Sequence, residues 1–171
     1  MHWTAGLRPC FTLDTAGPPP VMCVVSCMTR DQFHTKLMAA RDLPSDEHDR
    51  VFTLLRERLR GLDDAQQFEV LFPIAVKRQL DAPSCPAAKL LRELSPACPL
   101  SCEDAIRALL SEWDVSIEEV PFYIVARFGV PRVRQAIDRL ASELAGGSEK
   151  RQLQTVAYWV GKYEEAFANG S

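Results

Sequence analysis

The sequence predicts an all-α protein of about seven helices, paired into stacked hairpins as a HEAT-like solenoid or as an irregular bundle. Three observations carry that reading. Apolar residues recur at the helical period, helix-capping residues precede each periodic stretch, and no alternating strand pattern follows residue 28.

The elements follow in order. Thr29-Arg-Asp-Gln32 reads as a capping box, in which the threonine takes one orphan amide and the glutamine reaches back to another. Ser45 precedes Asp46 and Glu47, acids that suit a first turn. Val51, Leu54, Leu55 and Leu59 then form an apolar stripe up to a stop at Gly61. Asp64-Ala-Gln-Gln67 repeats the box and opens an apolar helix that ends by Asp81-Ala-Pro83. A short helix is expected at about 86–94. Ser101 and Ser116 each precede acids and open helices at about 102–113 and 117–128. The stripe Val133, Ala136, Ile137, Leu140 and Leu144 marks the next helix. After Gly146-Gly147, Ser148 opens a last one, striped by Leu153, Val156, Ala157, Val160 and Phe167.

The chain divides into a leader, residues 1–28, and a single helical domain, residues 29–171. The leader carries Gly17-Pro18-Pro19-Pro20, half of the cysteines and no helical period, so it reads as flexible or loosely packed. Val21 to Val25 could form a short, isolated strand. Asp14 and the proline run interrupt the apolar stretch that a secretory signal needs. The same break spoils the lipoprotein-like Val24-Val25-Ser26-Cys27, and Met28 reads as an alternative start. The 171 residues suffice for one core, and no run approaches the roughly 20 apolar residues of a membrane span. A net charge of −3 supplies no global field for a polyanion. Together these features point to a cytoplasmic protein.

A faint internal echo supports hairpin stacking. Glu69-Val-Leu-Phe-Pro-Ile74 aligns with Glu119-Val-Pro-Phe-Tyr-Ile124, which sets Lys77 opposite Arg127. Val156-Ala-Tyr-Trp-Val160 partly matches both. Each of these apolar helices follows an amphipathic one. The expected hairpins therefore pair 51–60, 102–113 and 132–145 with their successors.

The stretch Phe128-Gly-Val-Pro-Arg-Val133 raises a helix-turn-helix reading. That motif places a buried residue about six positions after its turn glycine. Val133 lies only four after Gly129, which sets the second helix at the wrong rotation. Arg134 and Arg139 have acids at i+4, Asp138 and Glu143. Arg127 and Arg132 have none. The simpler reading is a tight hairpin in which Gly129 caps one helix in the left-handed region and Pro131 opens the next.

Chemistry leaves few traces. The cysteines stand at 10, 23, 27, 85, 98 and 102. Cys85 and Cys98 flank a helix whose ends lie too far apart for the roughly 5.5 Å of a disulfide. Cys23/Cys27 and Cys98/Cys102 have three intervening residues, where zinc sites favour two to four, a weak match. Cys102, in a first helical turn, reads as the most reactive thiol. Asp31-Gln-Phe-His34 resembles half of a diiron site, but the second motif is missing. No phosphate loop, dinucleotide fingerprint or serine elbow occurs. No catalytic residue, metal ligand or cofactor is therefore expected.

What remains is surface for a protein partner. Trp159 and Tyr163, one turn apart and off the apolar stripe, are the candidate anchors, the alternative being that they pack against the 117–128 helix, with Arg127 and Arg132 as the cations without an acidic neighbour. The expected function is a non-enzymatic binding or adaptor module. The alternatives are a divergent helix-turn-helix-like DNA-binding regulator and a metal- or thiol-dependent enzyme.

Overall fold

The computed structural model describes residues 28–40, 43–77 and 84–168. The Val21–Val25 segment, His2, Cys10, Cys23, Cys27 and the Asp81-Ala-Pro83 stop lie outside the described residues. Within them the fold is all-α. Nine helical segments follow in order: α1 (Arg30–Ala40), α2 (Ser45–Arg60), α3 (Asp64–Ala75), α4 (Ser84–Leu94), α5 (Cys102–Arg107), α6 (Leu109–Glu112), α7 (Glu119–Phe128), α8 (Val130–Glu143) and α9 (Gly147–Ala168). The stretch expected as one helix at 102–113 is broken at Ala108 into α5 and α6.

The caps show how local chemistry sets the starts. Gln32 N–H donates to Thr29 Oγ1 at 3.3 Å, and Thr29 N–H donates to Gln32 Oε1 at 3.1 Å, the expected box. Asp104 N–H donates to Ser101 Oγ, also as expected. The α3 box forms one residue earlier than expected. Asp63 accepts from Gln66 N–H at 2.8 Å, and Gln66 Oε1 accepts from Asp63 N–H at 3.2 Å. Gln67 instead turns inward and donates to Leu62 O at 2.9 Å. Ser45 caps nothing, because Pro44 holds the N-cap position of α2. Ser116 bonds back to Asp114 within a turn, and α7 starts only at Glu119.

Packing departs from a uniform stack of successive hairpins. α8 and α9 lie along each other as an antiparallel pair, and α1 lies against α2. α3, however, takes α4 as its main neighbour rather than α2, and α4 in turn packs along α7. The short helix of the sequence reading is thus the element between the two echoed segments. Its Ala87, Ala88, Leu90 and Leu91 are all fully buried, and the alanines let the neighbouring backbones approach closely. α2 is joined to α4 by ion pairs, in which Arg56 and Arg60 both meet Glu93.

The loop leaving α4 is bolted from both sides. Ser95 takes φ 46°, the left-handed conformation that ends many helices. Tyr123 of α7 donates its hydroxyl to Pro96 O at 2.9 Å, and Arg127 donates to Ser95 O at 3.3 Å. From α3, Asp64 accepts Ala97 N–H at 2.8 Å. These bonds satisfy carbonyls and an amide that a helix end leaves open. Met28, assigned to the leader by the sequence, is buried in the core.

Two glycines give a contrasting test of backbone cost. Gly129 joins α7 to α8 at φ 80°, ψ 147°. The positive φ was expected, but ψ places it outside the left-handed helical region, in space essentially reserved for glycine. A Cβ there would meet nothing closer than Pro131 Cδ at 4.0 Å, so the penalty is conformational rather than steric. Gly129→Ala is expected to lower stability by about 1–3 kcal/mol in urea melts. Gly161 lies inside α9, where a Cβ meets nothing within 4 Å. Gly161→Ala should therefore raise stability by about 0.5–1 kcal/mol.

Candidate functional site

The four residues singled out in the sequence split into two places. Trp159 and Tyr163 lie on α9, half buried against α7. The Phe122 ring receives both edge-on, with centroids 6.2 Å from Trp159 and 5.4 Å from Tyr163. Trp159 Nε1 donates to Val115 O at 3.0 Å, which ties α9 to the turn before α7. Arg92 of α4 lies over the Phe122 ring, 4.9 Å from its centroid.

Two neighbours complete an aromatic ridge along α9. Tyr158 packs on Trp159 with centroids 5.1 Å apart, and Phe167 packs on Tyr163 at 4.5 Å. Tyr158 is 55% exposed and Phe167 49%. Among the described residues four large apolar side chains are exposed: Leu54, Val115, Tyr158 and Phe167. Tyr158 and Phe167 pack on Trp159 and Tyr163, and Val115 adjoins them through the carbonyl that accepts from Trp159. At about 100° per residue the four wind about half-way round α9 over some two and a half turns, so the ridge spirals from Tyr158 to Phe167 instead of following one strip. Sequence reading placed Phe167 in the buried stripe and left Tyr158 out. The stripe does bury Leu153, Val156 and Val160. By Phe167, α9 carries its side chain into solvent.

Arg127 and Arg132 do not join the ridge. Arg127 holds the α4 exit loop, as described above. Arg132, at the start of α8, lies over the Phe128 ring at 5.5 Å and borders a cleft of about 320 Å³ with Cys102, Glu103 and Arg139. The other α8 arginines find acids across helices rather than at i+4. Arg134 pairs with Glu164 of α9, Arg139 with Glu103 of α5 at 2.6 Å, and Glu143 is taken by Arg107 of α5. The expected intrahelical pairs with Asp138 and Glu143 are replaced because α8 is flanked by α5 and α9.

The cysteine reading also changes. Cys102 was expected to be the reactive thiol, activated by its place in a first turn. It is buried, with Sγ 4.0 Å from Arg132 O, and burial pushes its pKa up. Desolvation of the thiolate outweighs the helix end. Burial raises Cys85 and Cys98 as well, and all three are free. Tyr123, beside Cys98, is likewise pushed up, above all by burial. Each group ionises later in the folded chain than in the unfolded one. Stability from these groups is complete below the ordinary thiol range and is lost as pH rises through it toward the raised folded values. The urea midpoint should accordingly fall between neutral pH and about pH 10. A midpoint that holds or rises would contradict this burial.

Asp31 and His34, the half-motif of the sequence, border a cleft with Arg30 and Lys77. Among the described residues no group of three or more His, Cys, Asp or Glu side chains is placed to hold a metal. Among them, too, no helix is long and apolar enough to cross a membrane. Compared with known proteins, the chain matches no family model, no curated protein and no solved structure.

Proposed function

We propose that the protein is a non-enzymatic protein-binding module that docks through the aromatic ridge of α9. The observation that carries this reading is the exposure of Tyr158 and Phe167 at the two ends of a row whose middle members are anchored. Trp159 and Tyr163 are held by Phe122 and Val115, so the ridge is rigid before any partner arrives. Rigid aromatic side chains lose little entropy on docking and make the strongest interface anchors. The occupant is a partner protein that offers an apolar cleft to a convex ridge. The paired arginines of α8 argue against a groove-reading helix, since a DNA contact would first have to break their cross-helix ion pairs. Free thiols at Cys85, Cys98 and Cys102 suit a reducing compartment, in keeping with a cytoplasmic adaptor.

The test is the double change Tyr158→Ala with Phe167→Ala. Both side chains are half exposed, so stability should shift by no more than about 1 kcal/mol. Recovery of the partner that the wild-type protein captures should be lost. Undiminished recovery with an intact fold would reject the ridge as the docking surface.

A further inference from the structure

The fourth exposed apolar side chain, Leu54, marks a second surface on the opposite part of the chain. α1 and α2 enclose a groove of about 360 Å³. Ala39, Val51 and Leu55 give it an apolar lining, and Leu54 stands at its edge with 64% of its surface exposed. The α2 stripe is therefore wider than the fold covers. Leu55 and Leu59 are buried, while Leu54, in the same stripe, is left open. α2 has α1 as its main neighbour and joins α4 through the Glu93 ion pairs, while the exposure of Leu54 leaves that side uncovered by the described chain.

Among the described residues the charges bordering the groove are of one sign: Lys36 comes from α1 and Arg58 from α2. The other cations of the C-terminal half of α2 are satisfied: Arg56 and Arg60 both meet Glu57 and Glu93. Lys36 and Arg58 form no ion pair among the described residues. An apolar trough bordered by two cations that no described acid neutralises complements an apolar surface bordered by carboxylates.

We propose that the α1–α2 groove receives an amphipathic helix of a partner protein, with acidic residues flanking its apolar face. Apolar anchors one turn apart would lie along Leu54 and Val51, and flanking carboxylates would meet Lys36 and Arg58. The openness at Leu54 favours a helix over a small amphiphile, which would need a site that buries most of its surface. The chain's own residues 1–27 are a poor match, because Asp14 is their one acid. This surface is separate from the α9 ridge, and the proposal stands or falls independently of it.

The experiment is a fluorescence-anisotropy titration of the full chain with three labelled synthetic 16-residue helical peptides. One carries a leucine face flanked by glutamates, the second the same face flanked by lysines, and the third glutamates without leucines. The first should bind, and the other two should bind at least about tenfold more weakly. Leu54→Glu should weaken the first peptide by at least about tenfold with an unchanged circular dichroism spectrum. Lys36→Glu with Arg58→Glu should reverse the preference between the first two peptides. No binding of the acidic peptide at about 1 mM, equal binding of the basic one, or indifference to all three substitutions would overturn the proposal. So would displacement of the acidic peptide by a peptide of residues 1–27 at lower concentration, or a wild-type dimer that Leu54→Glu dissociates.

Discussion

Trp113→Ala should be among the most damaging single substitutions in this chain, costing about 3–5 kcal/mol in urea melts. Trp113 ends α6 and is 1% exposed. Trp113 belongs to the buried core, directly after α6, which packs on the helix that carries the ridge. Neighbours fixed by a broken helix on one side and a 22-residue helix on the other can collapse only partly into the space. Trp159→Ala offers the contrast. That side chain is half buried and has one hydrogen bond, to Val115 O, so its loss should cost less, about 2 kcal/mol. Equal costs for the two changes would mean that Trp159 is a core residue and not the root of an exposed ridge.

Leu91→Ala should follow, at about 2–5 kcal/mol. Leu91 is fully buried in α4, and α4 stands between α3 and α7. A cavity there opens toward two helices at once. Its backbone also accepts from Ser95 N–H at 2.9 Å, the bond that closes the helix before the loop held by Tyr123, Arg127 and Asp64. Loosening α4 therefore affects the loop as well as the core. Thermal melts should show one transition at lower temperature. A loss below about 1 kcal/mol would show that α4 is peripheral and that α3 and α7 support each other without it.

The helices were legible in the sequence because their information is local. Period, cap and stop residues lie within a turn or two of each boundary, as at Thr29–Gln32 and Ser101–Asp104. Errors arose where two local solutions compete. Asp63 and Asp64 each have a glutamine three positions on, and the structure uses the first pair. Ser116 can cap a helix or close a turn with Asp114, and it closes the turn.

Neighbours were much harder to read. The alanines and leucines of α4 announce burial but not between which helices, so the expected hairpins passed over the element that links both echoed segments. The arginines of α8 met acids on α5 and α9, which no i+4 rule can find. One distant contact was legible: Trp159 and Tyr163 pack on the 117–128 helix, through Phe122 thirty-seven and forty-one residues earlier. Leu54 and Phe167 belong to apolar stripes that looked like core throughout. Each stripe is longer or wider than its neighbours cover, and these two ends are the surfaces with most to offer a partner.

The most direct test of the α9 ridge is site-specific photo-crosslinking to the partner that wild-type protein recovers. A photoreactive phenylalanine would replace Tyr158 in one variant and exposed Asp138 of α8 in another. A ridge that docks the partner gives a discrete adduct from position 158 and none from position 138. Adduct of equal yield from both positions, or from 138 alone, would contradict the docking surface proposed on α9.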